Sequence, residues 1–276
     1  MPSVPAGGSR LDHWMQALER RHLADLQFAE VTRALRALSS TYVERRGGLR
    51  EGAALSGAGK RAAFALFFGP LHYLLVHAMV TRLPGALEAV SPRREKASGR
   101  PTLVDLGSGT GAAGAGWAVA CEQPPAIHGV DRHPWAVAEA NAAYRDLQLD
   151  GRAIVGDIGR QPLPNGRAYL AAFALNELSD EARHHVLARL HDRAAKGDAV
   201  LIVEPLAKGV APWWSADLAP FVALGGRFDE WRIPVPLPPL VAKFDRAAGL
   251  RHQELTGRSL WIAGASTRAG APSASS

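Results

Sequence analysis

The stretch Thr102–Gly111, TLVDLGSGTG, runs an apolar segment straight into three alternating glycines, and a helical pattern begins immediately afterwards. A strand that must turn this tightly into a helix, at residues free to take positive φ, leaves few folds open. The same texture then repeats. Strand candidates are TLVDLG (Thr102–Gly107), AIHGVD (Ala126–Asp131), AIVGD (Ala153–Asp157), AYLAAFAL (Ala168–Leu175) and AVLIVE (Ala199–Glu204). Helical segments fall between them, near Ala112–Glu122, Pro134–Leu147 and Asp180–Ala195. Strand–helix alternation predicts an α/β fold, a Rossmann-like parallel sheet with helices on both faces. A helix near Leu240–Ala248 and two short strands, His252–Leu255 and Ser259–Ile262, follow. Thr256-Gly257-Arg258 between those strands predicts a closing hairpin, which makes the sheet mixed.

The first hundred residues read differently. Leu18, Leu23, Leu26, Val31, Leu35 and Leu38 recur at helical spacing, so Leu11–Arg46 is expected to be helical. GGLREGAALSGAGK, from Gly47, reads as a loop. A second apolar helix is expected over Arg61–Leu83, interrupted at Gly69-Pro70. The polar connector Ser91–Pro101 is the best domain boundary. The expected organisation is a helical region over 1–100, a core over 101–265 with a lid insertion at 206–239, and a disordered tail at 266–276.

Hydrophobic residues make up 47% and charged residues 21%, proportions of a globular chain rather than a disordered one. The apolar stretch Ala62–Val80 is broken by Gly69-Pro70, His72 and His77, so no membrane span is expected. The amino terminus lacks a secretory pattern, and the single cysteine, Cys121, permits no disulfide framework. A cytoplasmic protein without a metal site is the expectation. The net charge of +6 is concentrated at the front, where residues 1–100 hold 15 Lys and Arg against 8 Asp and Glu. That basic preface keeps RNA open as a partner.

Amides at the start of a helix form an electropositive site for a carboxylate or phosphate. Gly107, Gly109 and Ala112 satisfy the dinucleotide fingerprint G-x-G-x-x-G/A, and Asp131, at the end of the next strand, suits ribose hydroxyls. Asp105 separates the readings. A carboxylate two residues before the first glycine opposes a pyrophosphate but suits a cationic amino-acid group.

With Asp105 and the closing strands included, LVDLGSGTG resembles the first motif of class I S-adenosylmethionine (SAM)-dependent methyltransferases. The resemblance covers about Thr102–Gly264 and implies a seven-stranded mixed sheet and SAM as cofactor. It implies that Asp105 and the backbone of Gly107, Ser108, Gly109, Thr110 and Gly111 hold the methionine part, and that Asp131 holds the ribose. Asp157 would bond the adenine amine with Ile158 against the ring, and Arg132 and Trp135 would flank it. For Asp157 and Trp135, a strand-end turn and a packed helix residue are the structural alternatives.

Ligands of open α/β sheets bind beyond the carboxyl ends of the strands, which puts the loop Ala174–Asp180 next to the transferred methyl. Asn176 is a cofactor or acceptor contact there, and Glu177 a candidate base. Capping of the next helix competes for the loop's polar residues. His184, one turn on, is a second candidate base, with an exposed helix position as its alternative. The segment 206–239 carries Trp213, Trp214 and Trp231, read either as walls of an acceptor site or as cover for the sheet. Three functions stand open: methylation of a small or medium organic acceptor, methylation of ribosomal RNA, or SAM binding without turnover in an assembly factor. The basic preface and the Asn176-Glu177-Leu178 turn loosely resemble bacterial relatives of a mitochondrial small-ribosomal-subunit methyltransferase-like family, whose cysteine cluster has no counterpart here.

Overall fold

A computed structural model of the chain describes residues 7–44, 55–91, 101–207 and 209–264. The first part of the loop predicted from Gly47 (47–54), most of the connector Ser91–Pro101 and the tail at 266–276 therefore lie outside the described residues, while the end of that predicted loop, from Ala58, is already helical.

The sheet has seven strands: β1 (Thr102–Leu106), β2 (Ala126–Asp131), β3 (Gly151–Val155), β4 (Ala168–Ala172), β5 (Ala199–Glu204), β6 (Arg227–Ile233) and β7 (Leu255–Ile262). Their order is β3-β2-β1-β4-β5-β7-β6, with β7 antiparallel to both of its neighbours. The Rossmann-like mixed sheet is as expected, and β2 and β5 have the predicted bounds. The closing hairpin is not. Leu255–Ile262 is one continuous strand whose partner is Arg227–Ile233. β6 falls inside the expected insertion, its apolar alternation hidden by charged, outward residues, with burial running mostly exposed and half-buried. Residues 206–239 are thus not simply a lid: they contribute the edge strand.

Alternation along the strands sorts side chains onto two faces. Leu103, Leu170, Leu201 and Val203 join one core cluster, and Val104, Leu106, Tyr169, Val200 and Ile202 join the other. On the second face lies α8 (Asp180–Ala195), capped by the Ser179 hydroxyl, which accepts from the amide of Ala182. Beside it pack α9 (Trp214–Asp217) and the 3₁₀ turn Ala219–Leu224.

The first face is covered from the front of the chain. The stretch expected to be helical, Leu11–Arg46, holds two helices as far as it is described, α1 (Gly7–His22) and α2 (Phe28–Glu44), broken at 23–27. There follow α3 (Ala58–Ala63), a π turn at Phe64–Phe68, α4 (Gly69–Val80) and α5 (Ala86–Ala89). The π turn has a local cause. Pro70 cannot donate to the Leu66 carbonyl and its ring crowds it, so the chain widens and the amide of Gly69 reaches back to the Phe64 carbonyl. The run Ala58–Val80 is long and apolar enough to cross a membrane, but 72% of its most apolar window is buried inside the fold, where it serves as core.

The contact that seats it is made of small residues. α6 (Ala112–Ala120, AAGAGWAVA) lies between the sheet and α4. A Cβ on Gly116 would stand 2.4 Å from the Tyr73 carbonyl oxygen, and one on Gly114 would stand 2.6 Å from Asp105 Oδ2. Both close approaches require glycine. The Trp117 indole donates to the Ala86 carbonyl at 3.1 Å and the Trp261 indole to the Pro84 carbonyl at 2.9 Å. Arg21 on α1 grips Glu139 on α7 (Pro134–Asp146) at 2.8 Å. The amino-terminal helices and the sheet therefore share one hydrophobic cluster. The last helix, α10 (Pro239–Ala248), packs against α2 and presents Phe244 to Phe28, ring centroids 4.4 Å apart.

Candidate active site

A cavity of about 960 Å³ opens at the carboxyl ends of the first five strands, roofed by the π turn and α4. One end is formed by Gly107–Thr110, Asp131, Arg132, Asp157 and Ile158. The other is formed by Phe64, Phe68, Leu71, His72, Leu75, Phe173 and Leu255, with His252 and Thr256. Asn176 and Glu177 lie between.

The glycine turn is held open by its backbone. Gly107, Gly109 and Gly111 all have positive φ, and a Cβ on Gly107 would meet the Ala174 Cβ at 2.4 Å. Asp131 fixes the loop: its Oδ2 accepts from the amide of Gly109 at 2.9 Å and its Oδ1 from the amide of His133 at 2.8 Å. Asp105 lies behind the turn, 1% exposed, and accepts from the amide of Gly114 at 3.1 Å. Glu204, fully buried at the end of β5, accepts from the amides of Leu175 and Asn176 at 3.1 and 3.2 Å, which holds the loop after β4 in place.

These carboxyls form an acidic group short of cations. Burial pushes Asp105 up to about 7, against the bond from Gly114, and Asp131 adds to the rise. Burial raises Glu177 to about 7 and Glu204 to about 8; Arg132 only partly offsets the first, and the amide bonds and Arg258 the second. Ser108 and Asn176 line the cavity, and Ser108 Oγ and Asn176 Oδ1 are buried without a hydrogen-bond partner. Orphaned polar atoms beside desolvated carboxylates suit a ligand that is cationic and also hydrogen-bonds. SAM, with a sulfonium and an ammonium, has that character; a pyrophosphate does not.

The apolar end is aromatic. The His72 ring stacks on Phe173, centroids 4.3 Å apart and planes 19° apart, and burial pulls His72 down to about 4, so it is neutral near pH 7. Phe173 holds φ at 59°, a conformation that a bulky side chain rarely adopts, while its amide donates to the Val203 carbonyl. That twist directs the backbone as β4 leaves the sheet.

The structure brings together Gly107, Ser108, Gly109, Thr110, Asp131, Arg132, Asp157, Ile158, Asn176 and Glu177 around one cavity. Asp105 and Gly111 stand behind it, Gly111 against the Tyr144 ring. Asp157 also serves its own turn, accepting from the amide of Gly159. Other predicted residues are elsewhere. His184 is 59% exposed and pairs with Asp217 at 3.2 Å, away from the cavity. Trp213 and Trp214 are buried on the α8 face, under the guanidinium groups of Arg183 and Arg258. Trp231 donates to Ser259 Oγ at 2.8 Å on the edge strand. None of the three tryptophans lines the cavity, because the sequence that carries them crosses the opposite face of the sheet before returning as β6. Trp135 likewise packs against His22 and His133 rather than in the cavity. The aromatic wall was missed because Phe64, Phe68 and His72 lie in an ordinary-looking apolar helix; only the strand-end position of Phe173 was a signal.

Residues 89–215 match the family model of an O-methyltransferase domain. No curated protein matches the chain. Among solved structures, YcgJ from Bacillus subtilis is 12% identical, covering 68% of this chain and 96% of that one, with a TM-score of 0.43. Magnesium protoporphyrin IX methyltransferase from Synechocystis PCC 6803 is 13% identical over 69% of this chain and 78% of that one, with a TM-score of 0.44. The pyocyanin biosynthetic protein PhzM is 14% identical over 83% of this chain and 62% of that one, with a TM-score of 0.48. At such distances these neighbours say nothing about the acceptor.

Proposed function

We propose that this chain, a class I SAM-dependent methyltransferase, methylates a hydroxyl group on a small, flat, largely apolar acceptor held between the glycine turn and the aromatic roof. The observation that carries this is the polarity of the cavity: acidic and glycine-lined at one end, aromatic at the other. Its volume of about 960 Å³ is at the upper end of small-molecule sites, roughly 300–1,000 Å³, and leaves room for an acceptor beside the cofactor. Among the described residues of the aromatic end there is no Lys or Arg, whereas an RNA acceptor calls for a basic groove. The O-methyltransferase domain match supports oxygen as the methylated atom.

In this reading the amides and Ser108 hydroxyl of the turn, with Asp105 behind them, hold the methionine part; Asp131 holds the ribose, with Arg132 beside it. Asp157 and Ile158 take the adenine, and Asn176 bonds across to the cofactor. When bound, SAM supplies an electrophilic methyl on a positively charged sulfur. What the chain adds is position and dryness: the roof of Phe64, Phe68 and Leu71 excludes water, and the His72–Phe173 stack sets the plane against which a ring lies. Glu177 faces the junction of the two ends, where its carboxyl balances positive charge. The domain reading is an amino-terminal region over 1–100, whose described helices include the roof, ahead of a core over 101–265. The buried thiol of Cys121 and the buried apolar run support a cytoplasmic setting.

The test is transfer of label from methyl-tritiated SAM to 1-naphthol and related phenols. Labelled methyl ether is expected. Turnover of RNA but of no phenol would overturn the reading, as would SAM binding without turnover of either.

A further inference from the structure

We propose that His252, backed by Asp245, is the general base that takes the acceptor's hydroxyl proton. This rests on the oxygen-acceptor reading above.

His252 lies just before β7, on the aromatic side of the cavity, three residues from Leu255 and four from Thr256, which share that wall. Its Nδ1 stands 2.5 Å from Asp245 Oδ1, while Asp245 Oδ2 accepts from the His252 amide at 2.9 Å. One carboxylate on α10, only 4% exposed, thus holds both the ring and the backbone of this histidine. A carboxylate only accepts, so the ring carries a proton on Nδ1, and in the neutral ring that leaves the lone pair on Nε2. The ring also rests against Phe67, centroids 5.9 Å apart, so packing adds to the fixed orientation.

The other titratable groups on the cavity wall are less suited. His72 is occupied in its stack with Phe173 and is a weak base where it lies. Glu177, between the two ends, lies beside Arg132 and Asp131 and is assigned there to balancing positive charge. His185 and His133 also line the cavity, but no carboxylate among the described residues orients either ring, and the His133 Nδ1 is taken up in accepting from the amide of Trp135. Among the described histidines of the wall, His252 is the one with a carboxylate behind it. A phenol or alcohol is protonated near pH 7, and its oxygen gains nucleophilicity as that proton leaves. The acceptor O–H bond breaks as its proton passes to Nε2, and the oxygen's electron pair forms the new O–CH₃ bond. The methyl's bond to the sulfonium breaks with its electron pair staying on sulfur, which becomes a neutral thioether. The imidazolium that results faces Asp245, and the proton then leaves to solvent.

Spectroscopy and variant kinetics test this. In the protein without ligands, histidine ¹⁵N–¹H spectra should show His252 as the Nδ1–H form, with a strongly deshielded proton that is lost in Asp245→Asn; an Nε2–H form would overturn the assignment. With SAM, His252→Gln should lower kcat on 1-naphthol at least 100-fold, in the range of a lost general base. The same variant should lose far less on 4-nitrophenol, which is largely ionised at pH 8 and needs no base. Its affinity for S-adenosylhomocysteine and its Tm should stay near wild type. Equal losses on both phenols would reduce His252 to a structural role and sink the proposal. If the wild type methylates no phenol, the oxygen-acceptor reading falls first and this inference with it. If it methylates phenols and His252→Gln is unimpaired, only this inference falls.

Discussion

The carboxylate of Asp131 reaches back 22 residues to accept a 2.9 Å hydrogen bond from the amide of Gly109, tying the end of β2 to the glycine turn after β1. The same side chain is thus a structural clamp and the expected ribose ligand. Asp131→Ala should weaken S-adenosylhomocysteine binding about 10- to 100-fold by calorimetry, about 1.4–2.8 kcal/mol, because a lost charge-assisted bond and a loosened turn act together. Wild-type affinity in this variant would remove Asp131 from the cofactor site.

A cationic ligand should expel protons from the acidic end. Burial holds Asp105 and Glu177 near 7, so each carries a fraction of a proton at neutral pH. A nearby positive charge favours the ionised carboxylates and lowers both. Calorimetric titration of SAM at pH 7 in buffers of different ionisation enthalpy should therefore show net proton release. Proton uptake would contradict the electrostatics.

The same shifts set a direction for stability. The folded-state values of Asp105, Glu177 and Glu204, about 7, 7 and 8, lie above their ordinary 3.8–4.5. The folded protein binds more protons than the unfolded chain in that interval, so stability is lost as pH rises from about 4 through 8. His72 acts oppositely, since its depression from 6.5 to about 4 costs stability as pH falls through that window. Glu204→Gln, which keeps an oxygen for the amides of Leu175 and Asn176, should flatten the decline on the alkaline side in urea unfolding series between pH 6 and 9.

The α4–α6 contact predicts a fold defect. Gly116→Ala places a methyl 2.4 Å from the Tyr73 carbonyl, in rigid backbone. Overpacking of this kind costs about 1–3 kcal/mol, and Tm should fall by several degrees. An unchanged Tm would mean that the two helices are not in contact as described.

The tryptophans should separate from function. Trp231→Phe strands the Ser259 hydroxyl on the edge strand, at a cost of about 1 kcal/mol, and should leave S-adenosylhomocysteine affinity within twofold. Phe173→Ala, by contrast, removes the ring under His72 and should raise the KM for 1-naphthol about tenfold with cofactor affinity unchanged. A reversal of these two results would return the acceptor site to the tryptophan segment.

Much of the cofactor end was legible because its residues are local in sequence. A strand, a glycine turn and the next strand's terminal carboxylate recur at fixed spacing, since the backbone that makes the turn also makes the binding surface. The glycine turn and the carboxylates Asp105 and Asp131 stand out by that spacing, while their roles toward a cofactor are what the class I resemblance implies. The edge of the sheet was less legible. β6 carries charge on its exposed positions, so its alternation was masked, and the continuous β7 was divided at Gly257, where a small residue is needed for Met79 and Leu75 to approach.

By itself, then, the sequence determined the α/β alternation, the glycine turn and the carboxylates that frame it, all of which arise from short-range backbone geometry. Only the tertiary structure decided what faces them. Phe64, Phe68, His72, Phe173 and His252 come from the helical roof, a strand end and the approach to the last strand, separated by up to 188 positions along the chain. They meet because Pro70 forces a π turn and Gly116 lets α4 settle onto α6, bringing an amino-terminal helix over the glycine turn. In the proposed reading the turn holds the cofactor whatever lies across the cavity and the opposite wall selects the acceptor; long-range packing puts that wall there.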